Sequence, residues 1–152
     1  MGFIFEVVET EIQPVISIKT ITFARNLPQE LGKAYSAIIA YLTEKGEQPQ
    51  GPAFTAFFNM DMEKLEVEIG FAVTKEIAGK GDILASYIPA GRKATCMYKG
   101  PYKDMESTYE ALGKWMEAHG HIPTGVVYEF YYNSPTEVPE SELLTKIEFL
   151  LK

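Results

Sequence analysis

The chain has a single cysteine, Cys96, so no internal disulfide can form, and a reducing, cytoplasmic setting is expected. Histidine is equally scarce. The only two sit together in His119-Gly120-His121, with no third or fourth ligand nearby; a helix C-terminus, where the dipole favours a cation, suits them better than a metal. No metal and no cofactor is therefore expected. No apolar run is long enough to span a bilayer, so no membrane association is expected. Met1 to Glu6 lacks the charged-then-apolar layout of a signal peptide. Glu6 also stands where a myristoylation signal needs Ser or Thr. Positive charge is short as well: 14 Lys and Arg face 21 Asp and Glu, a net charge of −7. That balance argues against direct binding of nucleic acid, which needs a basic face. Nucleophile signatures are missing too. Ser86, Ser107 and Ser134 have no elbow context. Lys99-Gly100-Pro101-Tyr102 has one glycine and no Lys-Ser/Thr pair, which makes it a turn before a helix rather than a phosphate loop.

What remains is an ordinary globule. The chain has 152 residues, 46% apolar and 23% charged, enough for one domain with a real core. Val15 to Thr22 reads as a strand. Asn26 and Pro28 open a helix whose Leu31, Tyr35, Ile38 and Leu42 share one face, and Gly46 ends it. Ala53 to Phe58 and Leu65 to Val73 are strands, the second alternating Val67, Ile69, Phe71 and Val73 with Glu66, Glu68, Gly70 and Ala72. The Glu63, Glu66 and Glu68 cluster reads as a solvated edge. The unit is β-α-β-β.

The unit returns later in the chain. At a shift of 74, Leu31, Tyr35, Ile38 and Leu42 become Met105, Tyr109, Leu112 and Met116, while Gly46 becomes Gly120. Phe54, Phe57 and Asn59 become Tyr128, Tyr131 and Asn133 at the same shift, and Lys93 to Tyr98 stands where Lys19 to Ala24 stood. The last strand, Thr145 to Leu151, matches Val67 to Val73 at a shift of 78. The fold class is therefore α+β: duplicated β-α-β-β modules with pseudo-twofold symmetry, antiparallel sheets with a helix on one face, and a ligand cleft between modules. Module 1 spans about 14–74, a linker about 75–82, and module 2 about 83–152, within a single domain over 1–152.

The stretch Val126 to Asn133 carries the chemistry. It is a strand of aromatic and β-branched residues with one carboxylate, Glu129, in its middle. A charge there is costly unless it is paired, hydrogen-bonded or open to a ligand. Strand parity sends Tyr128, Phe130 and Tyr132 to the helix side with Ile147, Phe149 and Leu151. Thr55, Phe57, Glu129 and Tyr131 then face the other way, joined by Lys146, Glu148 and Leu150. Such a cleft suits a bulky apolar cation, with Phe57, Tyr98 and Tyr131 as rings and Glu129 as counter-charge. The plainer alternative is that Glu129 pairs with Lys146 or a tyrosine hydroxyl and does nothing else. Glu129 beside tyrosines also fits a general base, if burial raises its pKa. Trp115 reads first as core and second as cleft wall, and Cys96 as a small buried residue.

Ile88-Pro89-Ala90-Gly91, Tyr98-Lys99-Gly100-Pro101-Tyr102, Tyr109 with Leu112 and Trp115, Gly120, Glu129 with Tyr131, Ser134-Pro135 and Glu142-Leu143 together resemble the GyrI-like small-molecule-binding domain. This is the effector-binding domain of multidrug-responsive regulators of the AraC and MerR type. The likeness is densest from Ile88 to Leu151. It implies a pair of β-α-β-β modules binding hydrophobic, often cationic compounds in an aromatic pocket. It also implies a ligand-contacting acid at Glu129 and a second acid at Glu148, where some relatives place one. The domain fills the chain from about Pro14 onward with no helix-turn-helix, so transcriptional control would need a partner regulator.

Three functions follow from the resemblance and the residues. The first is a stand-alone binding or sequestering protein, with Glu129, Tyr131, Phe57, Tyr98, Glu148 and Trp115 as ligand-contacting candidates. The second is a hydrolase of toxic small molecules such as cyclopropanoids, with Glu129 and Tyr98 as the catalytic pair. The third is a protein inhibitor of DNA gyrase, resting on an acidic first half with five Lys and Arg against ten Asp and Glu through Thr74. Edge strands leave oligomerisation open.

Overall fold

The computed structural model describes residues 4–152. Met1 to Phe3, the start of the Met1 to Glu6 stretch read above for targeting signals, lie outside the described residues. Among the described residues no helix is long and apolar enough to cross a membrane. The fold is α+β. Ten main elements run β1 (Phe5–Thr10), β2 (Gln13–Thr22), α1 (Leu27–Glu44), β3 (Ala53–Phe57), β4 (Leu65–Ala72), β5 (Leu84–Ile88), β6 (Gly91–Lys99), α2 (Glu106–Ala118), β7 (Pro123–Tyr131) and β8 (Leu144–Leu151). They form two compact units. The first unit is Glu11–Ala90; among the described residues the second is Gly91–Lys152 together with residues 4–10.

Each unit holds the expected β-α-β-β kernel and one further strand. In the first, antiparallel pairing runs β3, β4, β2, β5; in the second it runs β7, β8, β6, β1. The added strands β5 and β1 occupy matching places, since Gln13 lies opposite Ile88 as Gly91 lies opposite Thr10. Both are short edge strands of mixed polarity, which periodicity alone does not mark.

The register refines the repeat. Val15 lies opposite Ala72 as Lys93 lies opposite Leu150, so the first strands match at a shift of 78, not 74. Ala53 lies opposite Phe71 as Val127 lies opposite Phe149, which keeps 74 for the middle strand and 78 for the last. A slip of four residues leaves side-chain alternation unchanged, so hydrophobic pattern cannot detect it.

The helices end alike. Gly46 (φ +71°) and Gly120 (φ +72°) adopt the left-handed conformation. Glu47 N–H reaches back to the Leu42 carbonyl at 2.8 Å and His121 N–H to Met116 at 2.9 Å, the closing bond of a Schellman turn in both. The N-terminus of α1 departs from expectation. Asn26 has helical backbone angles, ends a short 3-10 turn (Ala24–Asn26), and its side chain makes no cap bond.

Each helix buries one face against its own sheet. In the first unit Ile38, Leu42 and Ala34 meet Ile16, Ile69, Val67 and Phe71. In the second Met105, Leu112 and Met116 meet Ala94, Cys96, Tyr98, Val127 and Ile147. Cys96 is thus a packed core residue, and burial raises its thiol pKa.

Candidate functional site

Glu129 lies on the helix side of the second unit's sheet. It follows Val127 at the alternating position of β7 and stands opposite Ile147, and both of those residues belong to the core beneath α2. This corrects the parity assignment made from the sequence: Thr55, Phe57, Glu129 and Tyr131 are on the helix side. Tyr128 and Phe130 share the second face with Glu148 and Lys146, which they oppose in register. The assignment failed because it treated the helix face as purely apolar. Tyr109, a member of the α2 stripe, brings a hydroxyl into that face and makes a carboxylate tolerable there.

The acid is held by donors from two elements. The Tyr109 hydroxyl donates to Glu129 Oε2, and the Tyr131 hydroxyl donates to Oε1 at 2.8 Å. Tyr102, on a 3-10 turn (Tyr102–Asp104) just before α2, sets its ring edge-on to Tyr131 at 5.9 Å and 72°. The Tyr109 ring also rests on Phe149 at 5.7 Å. Burial raises the pKa of Glu129, and the two tyrosine hydrogen bonds oppose that rise without cancelling it. Burial, reinforced by the Glu129 charge, pushes the phenols of Tyr109 and Tyr102 up. No Lys or Arg forms an ion pair with Glu129 among the described residues.

Tyr98 lies on the same face, in one cross-strand row with Thr145 and Tyr131. Its hydroxyl is committed elsewhere, donating to the Pro101 carbonyl at 2.6 Å. Gly100 (φ +144°) makes this possible, since a Cβ there would lie 2.8 Å from that hydroxyl. Thr145 is fully buried in the row, and its hydroxyl finds no partner among the described residues.

The other candidates lie apart from this cluster. Glu148 is on the second face, paired with Lys146 at 3.0 Å, so neither Glu148 nor Lys146 joins Glu129. Trp115 packs on Phe5, His119 and His121 at ring distances of 5.8, 4.6 and 5.5 Å. His119 caps α2 and contacts the Trp115 carbonyl through Nδ1, as a helix-end histidine should. Phe57 belongs to the first unit, packed with Ala34, Leu65 and Val67. Glu68 is not part of a solvated edge: it is buried and accepts a 2.6 Å hydrogen bond from Ser17. Sequence reading missed Tyr102 and Tyr109 as site residues. The available signal was a tyrosine in an otherwise apolar helical stripe one repeat from Tyr35.

Solved structures of the same shape support the fold. The C-terminal domain of EcmrR aligns over 100% of this chain and 99% of its own, at 23% identity and a TM-score of 0.80. EcmrR in its DNA complex aligns at 22% identity and a TM-score of 0.84, and the chain spans only 57% of that protein. SAV2435, solved bound to tetraphenylphosphonium, aligns over 100% of this chain and 94% of its own, at 12% identity and a TM-score of 0.70. No curated protein matches the sequence. The model of the GyrI-like small-molecule-binding domain matches residues 5–152, a span that takes in both units, and the chain belongs to that family.

Proposed function

We propose that the chain binds small hydrophobic cations at Glu129, with Tyr102, Tyr109 and Tyr131 as the surrounding rings. One observation carries this reading. Glu129 has two hydroxyl donors and no cationic partner among the described residues. The hydroxyls orient the carboxylate but leave its charge unneutralised in a poorly solvated place. A cation with apolar substituents supplies that charge and meets ring faces as it does so. The likeness to SAV2435 makes tetraphenylphosphonium the natural probe. It should bind saturably in calorimetry, and Glu129→Gln should weaken it by about tenfold or more while the far-UV spectrum stays unchanged. Equal affinity in that variant refutes the counter-charge role.

A hydrolytic reading rests on a different property of the same acid. A carboxylate with a raised pKa beside tyrosines can take a proton from water. A structural neighbour described as a hydrolase from Listeria innocua aligns at 14% identity, over 97% of this chain and 91% of its own, with a TM-score of 0.67. Within this reading Tyr98 is the weaker partner, because its hydroxyl already donates to Pro101. Incubation with strained-ring electrophiles, followed by mass spectrometry, decides between the two functions. Product formation abolished by Glu129→Gln supports hydrolysis, and its absence leaves binding alone.

A further inference from the structure

The second face of the second unit's sheet carries a charged cluster unrelated to Glu129. Lys93 is on β6, and Lys146 and Glu148 are on β8. Thr95 stands opposite Glu148, which puts Lys93 on the diagonal from that carboxylate. Lys93 is 2% exposed and Glu148 3%. Lysine is almost never buried to this degree without a partner. Yet Glu148 is taken by Lys146 at 3.0 Å, and no ion pair joins Lys93 among the described residues. The first unit shows that the sheet does not need this lysine. Val15 occupies the matching place and is equally buried, at 2%.

We propose that Lys93 is a carbonyl-reactive amine, placed to take a small aldehyde or ketone as a reversible imine, with the Lys146–Glu148 pair beside it to move protons. This site is separate from the cation site and does not depend on it. Desolvation and a neighbouring cation are the two conditions that make a lysine amine nucleophilic, and both hold here. Burial, with Lys146 adding to it, pulls the Lys93 pKa down against the opposing charge of Glu148. Lys146 goes the other way: burial works against its charge, but the hydrogen bond and charge of Glu148 outweigh it and hold the ammonium. Two lysines pushed apart in this way divide the roles of nucleophile and acid.

The step balances without an outside reactant. The neutral Lys93 amine attacks the carbonyl carbon, a C–N bond forms, and the carbonyl π pair moves to oxygen. That oxygen takes a proton from the Lys146 ammonium, and the new N–H gives one back through Glu148. The carbinolamine then loses water to leave C=N, and water reverses the sequence. This face meets solvent four residues along β6 from Lys93, where the Lys146 side chain is 32% exposed and Met97, opposite it, is exposed as well.

The test is reductive trapping on the full chain, with acetaldehyde and cyanoborohydride at pH 7 and each lysine followed by peptide mass spectrometry. Lys93 should be alkylated about tenfold faster than the median of the other eleven lysines. Lys93→Met, which restores the apolar character of the Val15 position, should lose that fast phase. Labelling of Lys93 at or below the median overturns the proposal, as does a fast phase that survives in the variant. The wild-type measurement decides alone if the variant does not fold.

Discussion

The two units put the same tyrosine to different uses. In the first, Tyr35 of α1 donates to the Phe54 carbonyl at 2.8 Å and lies 3.3 Å from the Thr55 hydroxyl. In the second, Tyr109 of α2, one repeat later, donates to the carboxylate of Glu129, which stands where Thr55 stands. Phe57 and Tyr131 are likewise equivalent, and only the tyrosine reaches the acid. In both units a helix tyrosine bonds back to the sheet, and only in the second is its partner an acid. Glu129 has no counterpart acid at the Thr55 place, and under the proposed function it is the counter-charge for a bound cation. The second faces differ in the same sense: Val15, Glu68 and Gly70 of the first unit match Lys93, Lys146 and Glu148 of the second.

The hardest way to break this comparison is to exchange the side chains. Thr55 is fully buried and has no second tyrosine at its Phe57 neighbour. Thr55→Glu should cost about 3–5 kcal/mol in urea unfolding, as an uncompensated buried charge does. Glu129→Thr should leave the unliganded protein at least as stable as before and abolish cation binding. A Thr55→Glu variant as stable as the wild type would show that the units are equally fitted for an acid.

The next effect is steric. A Cβ on Gly70 would lie 2.1 Å from the Ile16 carbonyl oxygen, whereas the matching position in the second unit carries Glu148. Gly70→Ala should cost about 3 kcal/mol, the upper end for overpacking. A cost below 1 kcal/mol would mean that the first unit's strands can separate as the second unit's do.

How much of this was legible beforehand follows from the same pairs. The kernel was readable because Gly46 and Gly120 end helices with matching stripes, and because Phe54 and Tyr128 hold matching places in the strands that follow. Glu129 was readable as an oddity for the same reason. The face it points to was not, because alternation gives two sets of residues but does not say which set lies under the helix. Hydrophobicity made that choice, and Tyr109 reversed it. Lys93 was invisible, because its match to Val15 depends on a four-residue slip that only the strand register reveals.

Removing each helix hydroxyl sharpens the comparison further. Tyr109→Phe takes one of two donors from a carboxylate and should cost about 1.5–2 kcal/mol, the range for a hydrogen bond to a charged group. Tyr35→Phe removes a neutral bond and should cost about 1 kcal/mol. Thermal or urea unfolding of the two variants side by side measures the gap. Equal costs would mean that Glu129 is bound in its neutral form.

The smallest effect is the most specific to the acid. The Glu129 pKa is raised from an ordinary value of 4.5, so between 4.5 and the raised value the folded state holds a proton that the unfolded state has lost. Stability from this group is full below 4.5 and is lost as pH rises through the folded pKa. The difference in unfolding free energy between wild type and Glu129→Gln should therefore decline with rising pH across that window and flatten above it. Cation affinity should move the opposite way, growing as the carboxylate ionises. Thr55 cannot titrate, so Thr55→Val should show neither trend. Affinity that is flat with pH while the stability difference declines would separate the titration of Glu129 from ligand binding and leave the first unit, not the second, to be searched for the contact.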